Sequence, residues 1–300
     1  MARSKDITLS LLLLTTILFA AEDEYRAQVE KDRQDTDAFL RSARSPLLLV
    51  GRFSVSEGTS TLGSDPGSTI VLPARAPRHV GTLTRHGDQL TFQPAAGVAV
   101  TLNDKVLRES TPLKVTEPPS PNDHIGFGDF KFGVRPLTNE FSLLLSDLKS
   151  PFLMDFKGTT WFPIDPAYKV SAQFTPAAQG KTVLVPYTDG GEKTYKVSGD
   201  LVFQLEGKTL HLQALVSAGG NNLFIMFQDQ TSGKETYGGG RFLEAETPVD
   251  GKITLDFNKA SNPYCAYDPY AVCPVPLKEN RLTVAIRSGE KHRELQVASH

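Results

Sequence analysis

The two cysteines of this chain, Cys265 and Cys273, lie in the stretch DFNKASNPYCAYDPYAVCPVPLKEN from Asp256 to Asn280, among four prolines, three tyrosines and three asparagines. Residues so costly to order mark a loop whose shape matters. Seven residues separate the cysteines and none of them is histidine, which is wrong for a zinc-binding pair, so no metal site is expected. A free nucleophilic cysteine would need a histidine near it in space, which linear sequence does not show. In an exported protein the default is a disulfide closing a short loop, worth roughly 2.5 kcal/mol.

Carboxylates, amides and a guanidinium surround that loop: Asp256, Asn258, Asn262, Asn280, Arg281 and Glu290. Two acids beside amides suit hydrolysis or sugar binding, with one carboxyl as proton donor and the other as base. Asn and Asp next to Pro also serve tight turns by capping local backbone. Tyr264, Tyr267 and Tyr270 recur every third residue. Exposed, they would form a sugar-stacking or peptide-binding surface; packed on their own sheet, they would be structural. Upstream, Tyr237-Gly238-Gly239-Gly240-Arg241 offers close backbone approach with Arg241 to hold a carboxylate or phosphate, or else a hairpin turn whose Arg pairs with a neighbouring acid. The candidate ligand-binding residues are therefore Tyr237, Arg241, Asp256, Asn258, Asn262, Asn280 and Glu290. No Gly-Lys-Ser/Thr ending, Gly-x-Ser-x-Gly elbow or His-Glu-x-x-His pattern occurs, and Gly126-Phe127-Gly128 lacks a third glycine. Nucleotide P-loop, serine-hydrolase and zincin chemistry have no support, and no cofactor is expected.

The elements that must position these residues begin after a leader. Arg3 and Lys5 precede an apolar run from Ile7 to Phe19 followed by Ala20 and Ala21, which reads as a signal peptide over residues 1–21. The run is short for a spanning helix, and no later stretch is long and apolar enough to cross a bilayer, so the expected location is periplasmic or extracellular. Residues 22–46 are densely charged, with Tyr25, Val29, Phe39 and Leu40 as a helical stripe and Ser45-Pro46 as a stop; a charged helix or a tether both fit. Beyond Pro46, short apolar runs punctuated by Gly, Pro, Asn and Asp predict strands over Leu48–Ser54, Val80–Arg85, Gln89–Gln93, Val98–Leu102, Leu113–Thr116 and Phe130–Arg135. A second set follows over Lys208–Val216, Asn222–Gln228, Lys252–Phe257 and Arg281–Arg287. The fold class is mainly β: one sandwich over 47–140, a second antiparallel sandwich or barrel over 150–291, and a tail from 292 to 300.

The segment from Thr61 to Leu107 resembles a forkhead-associated domain, through Leu62-Gly63-Ser64, Ile70 to Leu72, Arg78-His79 leading into a strand, and Asn103. That family is a β-sandwich that binds phosphothreonine with a Gly-Arg pair, a Ser three residues before the His and an Asn-Gly pair. Here Ser64, Ala76 and Asp104 stand at the Arg, Ser and second Gly positions. Two phosphate donors are thus missing, and the resemblance implies a packing or protein-binding module with a structural His79. From about Tyr25 to Lys291 the chain also resembles an exported bacterial family, domain of unknown function 1684. The residues that carry this are Ser45-Pro46-Leu47, LGSDPGSTIVLPARAPRHVG, WFPIDPAYKV, TSGKETYGGGRFLE, the cysteine stretch through Leu282, and Gly289-Glu290. That resemblance implies a shared architecture and supplies no activity.

A formal net charge of −2 gives no basic field for phosphate backbones, so nucleic acid is excluded as a partner. The expectation is a binding or scaffolding protein of the bacterial envelope, its partner a protein or a carbohydrate. The alternative is a hydrolase or carbohydrate-active enzyme with its site in the C-terminal β unit.

Overall fold

The computed structural model describes residues 3–116, 122–136, 141–220 and 222–292, with side chains from residue 20 onward. The side chains of the leader and residues 293–300 of the tail therefore lie outside the described residues.

Helix α1 spans Arg3–Leu40. Tyr25, Val29, Arg33 and Leu40 recur at helical spacing along its inner face, and Val29 and Leu40 are buried against the body. Residues 22–40 are thus a packed helix and not a solvated tether. The helix stops at Leu40, whose carbonyl accepts the Ser45 hydroxyl; the Ser45 Oγ in turn accepts the Leu47 N–H, capping a short turn begun by Pro46.

Eleven strands follow: β1 (Leu49–Val55), β2 (Gly58–Gly63), β3 (Ile70–Val71), β4 (Gly81–His86), β5 (Gln89–Pro94), β6 (Val100–Leu102), β7 (Lys105–Leu107), β8 (Thr111–Leu113), β9 (His124–Phe127), β10 (Phe130–Pro136) and β11 (Phe141–Asp147). They form a six-stranded sheet in the order β1-β11-β10-β9-β6-β7 and a five-stranded sheet in the order β3-β2-β4-β5-β8. Pairings are antiparallel except β2 with β3. Alternate residues of both sheets meet in one core, where Phe92 and Phe132 make an edge-to-face contact at 5.5 Å.

A short helix α2 (Pro151–Asp155) leads to β12 (Lys169–Pro176), β13 (Thr182–Pro186), β14 (Glu192–Leu205), β15 (Lys208–Val216), β16 (Leu223–Phe227), β17 (Arg241–Ala245) and β18 (Lys252–Asp256). These make one seven-stranded sheet in the order β17-β16-β15-β14-β12-β18, with β13 on β14. It curls into a half-barrel. Its concave side holds Leu201, Phe203, Leu212, Ile225, Phe227, Leu243 and Leu255, and irregular chain closes it: Phe257–Ala260 and the run bearing Leu282, Val284 and Ile286.

Two expectations need correction. Arg281–Arg287 is not a strand: Leu282, Val284 and Ile286 do point inward alternately, but the segment makes one isolated bridge, Gln228 with Arg281. Alternation reports which way side chains face and is silent on whether a ladder partner exists. The run predicted over Leu113–Thr116 pairs instead over Thr111–Leu113, where it meets β5.

The disulfide is present, joining Cys265 to Cys273. Intact protein should take up no alkylating reagent until it is reduced, as read by mass spectrometry. Replacing both cysteines by serine should lower the unfolding free energy by roughly 2.5 kcal/mol. A sharper local test is Gly63. An added Cβ would collide with the Arg78 carbonyl, which crosses directly over β2. Gly63→Ala should therefore destabilise the first pair of sheets by about 3 kcal/mol, measured by chemical denaturation, although the side chain gains only one methyl group.

Candidate functional site

Asn258 follows β18 in a single turn of 3-10 helix and is fully buried. Its Oδ1 accepts the backbone N–H of Asp165 at 2.9 Å and the Ser288 hydroxyl at 2.8 Å. Its Nδ2 donates to the Asp165 carbonyl at 2.9 Å, to the Tyr25 hydroxyl at 2.9 Å and to Asp256 Oδ1 at 3.1 Å. Tyr25 in turn donates to Asp256 Oδ1 at 3.0 Å. Burial, followed by the charge of Asp256, pushes the Tyr25 hydroxyl well above the ordinary tyrosine range, so it stays a donor. Every hydrogen-bonding position of the Asn258 carboxamide is thereby in use.

Arg241 enters from the first residue of β17 and has no exposed surface. It donates to Asp229 Oδ2 at 2.6 Å, to the Ile286 carbonyl at 2.9 Å and to the Ser288 carbonyl, and its guanidinium carbon lies 5.2 Å from the Phe227 ring centre. Burial lowers its proton affinity, and Asp229, also unexposed, opposes that. Ser288 thus receives Arg241 at its carbonyl and gives its hydroxyl to Asn258. Next to it, Gly289 adopts φ +79°, and a Cβ there would meet the carbonyls of Phe257 and Ala260. Only glycine permits that approach.

Glu290 is 1% exposed. One carboxyl oxygen accepts the Tyr267 hydroxyl, and the other accepts the Asn262 backbone N–H at 2.9 Å. Burial pushes its pKa up to about 7, against the hydrogen bonds from Asn262 and Tyr267. Asp268, in the same loop and fully buried, is also raised by burial to about 7; Oδ1 accepts the Tyr270 N–H at 2.7 Å, while Oδ2 has no partner.

Of the seven candidates, the structure links Asp256 to Asn258 directly, Asn262 to Glu290 directly, and Arg241 to Asn258 through Ser288. Four of them, Arg241, Asn258, Asn262 and Glu290, clamp the segment Ile286–Lys291. Asn280 lies elsewhere. Its carboxamide accepts the Gln213 N–H at 2.7 Å and donates to the Gln213 and Met226 carbonyls at 2.9 and 2.8 Å, bridging β15 and β16 where their own ladder stops. Tyr237 stands apart as well, half-buried with its ring centre 5.2 Å from that of His292. Tyr267, expected among the exposed aromatics, is buried and bonded to Glu290, while Tyr264 and Tyr270 are exposed. Asp229, Ser288, Asp165 and Asp268 were not singled out by sequence. A fully buried arginine demands an acid, but nothing in FQDQTSG says that Asp229 supplies it.

One open groove of about 400 Å³ runs between the end of α1 and the start of the cysteine loop. Asp32, Asp35, Phe39 and Leu40 line it from the helix, and Ser261, Asn262 and Tyr264 from the loop. Asn262 is the only one of the seven candidates that reaches it. Asn262 is 7% exposed; its Nδ2 donates to the Lys291 carbonyl at 3.0 Å and its Oδ1 has no partner.

The raised carboxyls fix a sign for pH dependence. A carboxyl whose folded pKa exceeds its unfolded one is favoured by the fold in its protonated form, so its contribution is fullest below the unfolded value and is lost as pH rises through about 7. Melting temperature should therefore fall from about pH 5 to about pH 8. Glu290→Gln substitutes a neutral group whose oxygen can accept the Asn262 N–H and whose Nε2 can donate to a reoriented Tyr267 hydroxyl; it should flatten part of that slope and melt higher than the parent at the alkaline end. Equal slopes would remove Glu290 as a source.

Residues 154–291 match the family described as Protein of unknown function (DUF1684). The match ends where the sequence resemblance ends, at Lys291, and covers β12 to β18 with the cysteine loop. An uncharacterized protein from a gene locus of Haloarcula marismortui, solved by solution NMR, is 34% identical over 48% of this chain and 80% of that chain, with a TM-score of 0.41. No curated protein matches the sequence. The likeness to the DUF1684 family thus rests on residues 154–291 and does not extend over residues 25–153.

Proposed function

We propose that this protein is a non-catalytic binding or scaffolding protein of the bacterial envelope, exported by its leader. The observation that carries this reading is where the reactive-looking groups go. Arg241, Asp256, Asn258 and Glu290 direct their hydrogen bonds to side chains and backbone inside the fold, and none of them lines the groove. A hydrolytic pair needs two carboxyls facing one substrate-sized space. Glu290, although raised toward a general acid's range, is sealed beneath Tyr267 and Asn262.

The first pair of sheets fits the same reading as a forkhead-associated-like sandwich used for packing or protein contact. Ser64, at the position of that family's phosphate-holding arginine, donates its hydroxyl to the Ala76 carbonyl at 2.8 Å, and Arg78 pairs with Asp65 at 2.6 Å. The hydroxyl at that position is already engaged, and Ala76 brings none where the family has its serine. Export rests on Arg3 and Lys5 ahead of the apolar run.

A thermal-shift screen of the full chain against peptides, phosphopeptides and oligosaccharides, run beside turnover assays on ester, glycoside and peptide substrates, separates the two classes. The expected outcome is a ligand that raises the melting temperature without being consumed. Turnover that disappears in Glu290→Gln would establish the hydrolase instead.

A further inference from the structure

The groove between α1 and the cysteine loop has an unusual donor–acceptor balance. Its charged lining consists of two carboxylates, Asp32 and Asp35, and no Lys, Arg, His or Trp lines it. Asn262 Oδ1, buried beneath it, is a third acceptor without a partner, while the amide's own donor is turned away to Lys291. The groove also lies along the last turns of α1, where the helix dipole is negative. A ligand complementary to this surface donates hydrogen bonds and carries positive charge.

The apolar side of the groove limits the ligand further. Phe39 and Tyr264 lie near-parallel, with ring centres 6.1 Å apart and an interplanar angle of 27°, and Tyr264 is 51% exposed. Such faces accept an alkyl stem and attract the cation at its end. The present counter-ions are replaceable: Lys31 on Asp35 and Lys259 on Asp32 are solvent-exposed pairs, worth about 0–1 kcal/mol each. Beyond the groove, the apolar cluster that includes Phe39 continues to Phe152, which meets exposed Tyr270 edge-on at 6.3 Å. Aromatic residues bordering a charged slot suit a polypeptide better than an isolated amine.

We propose that this groove receives a lysine or arginine side chain of a partner polypeptide, with its charged head between Asp32 and Asp35, its stem on Phe39 and Tyr264, and a neighbouring apolar residue on Tyr270. This rests on the binding-protein reading and names its ligand class.

The test uses the full chain and a fluorescein-labelled peptide with a Leu-Lys-Leu core, read by anisotropy. The same peptide carrying norleucine for lysine, free spermidine and a neutral oligosaccharide are the comparison arms. Saturable binding that needs the lysine, weakens with added salt, and falls roughly tenfold in Asp35→Asn and in Tyr264→Ala is expected, with both variants melting like the parent. Equal binding of the lysine and norleucine peptides, or undiminished binding by the two variants, overturns the assignment while leaving the binding reading to its own screen. Spermidine or the oligosaccharide binding more tightly than the peptide overturns the polypeptide as occupant. Cleavage of the peptide overturns the binding reading itself.

Discussion

The carboxamide of Asn258 ties together four pieces of chain that nothing else joins at one point: α1 through Tyr25, the segment before β12 through Asp165, the end of β18 through Asp256, and the closing run through Ser288. Asn258 itself has no exposed surface, so each lost bond would leave one of its own donors or acceptors stranded, at about 1–3 kcal/mol apiece. The four pieces must therefore arrive together. The inner face of α1 is fixed in this way, and the adjoining stripe of Asp32, Asp35, Phe39 and Leu40 becomes the wall of the groove. The helix's further contacts act in the same sense, with Arg33 over Trp161 at 5.0 Å and Asp37 accepting the Thr159 N–H at 2.7 Å.

The constraint behind this arrangement is that a curled single sheet has an open side. A sandwich closes that side with a second sheet, whose own ladder satisfies its backbone. Here irregular chain covers the core, and its carbonyls and amides need partners elsewhere. Arg241 answers for the Ile286 and Ser288 carbonyls, Asn280 for the gap between β15 and β16, and Glu290 for the Asn262 N–H. The Arg241–Asp229 pair is costly to desolvate and is weak evidence of net stability; what it specifies is the path of the irregular closing run. This is why the polar residues concentrate after Asp229 and why they are inward-facing.

That physical origin also explains what could be seen from the sequence. Lys208–Val216 was legible to the residue because one face is core and the other solvent. The inward stripe of α1 was legible for the same reason at helical period. β14 was not, because its first half pairs with β13 and its second half with β12 and β15, so no single facing pattern spans Glu192–Leu205. Asp256, Asn258, Asn262 and Glu290 were recognisable as important, but a polar residue that completes a buried network and one that meets a ligand have the same letter. Their partners, Asp229, Ser288 and Asp165, are distant in sequence and ordinary in context, and only the fold brings them into register. The tyrosines show the same limit: three at equal spacing, of which Tyr267 turns inward to Glu290 and the other two outward.

The cysteine loop gains its meaning from being held at several places. Ser261 pairs with Phe242 of β17 at one end, Val275 bonds to Pro186 at the end of β13 and Cys273 to Thr188 just past it at the other, and the disulfide shortens the span between. Tyr267 on Glu290 anchors its middle. A loop with so little freedom presents Tyr264 against Phe39 as a fixed surface, so a partner meeting it does not have to order it first. Affinity at a small interface depends more on that preorganisation than on area. The network that removes Asn258, Arg241 and Glu290 from reach is thus also what makes the neighbouring groove rigid enough to recognise a ligand.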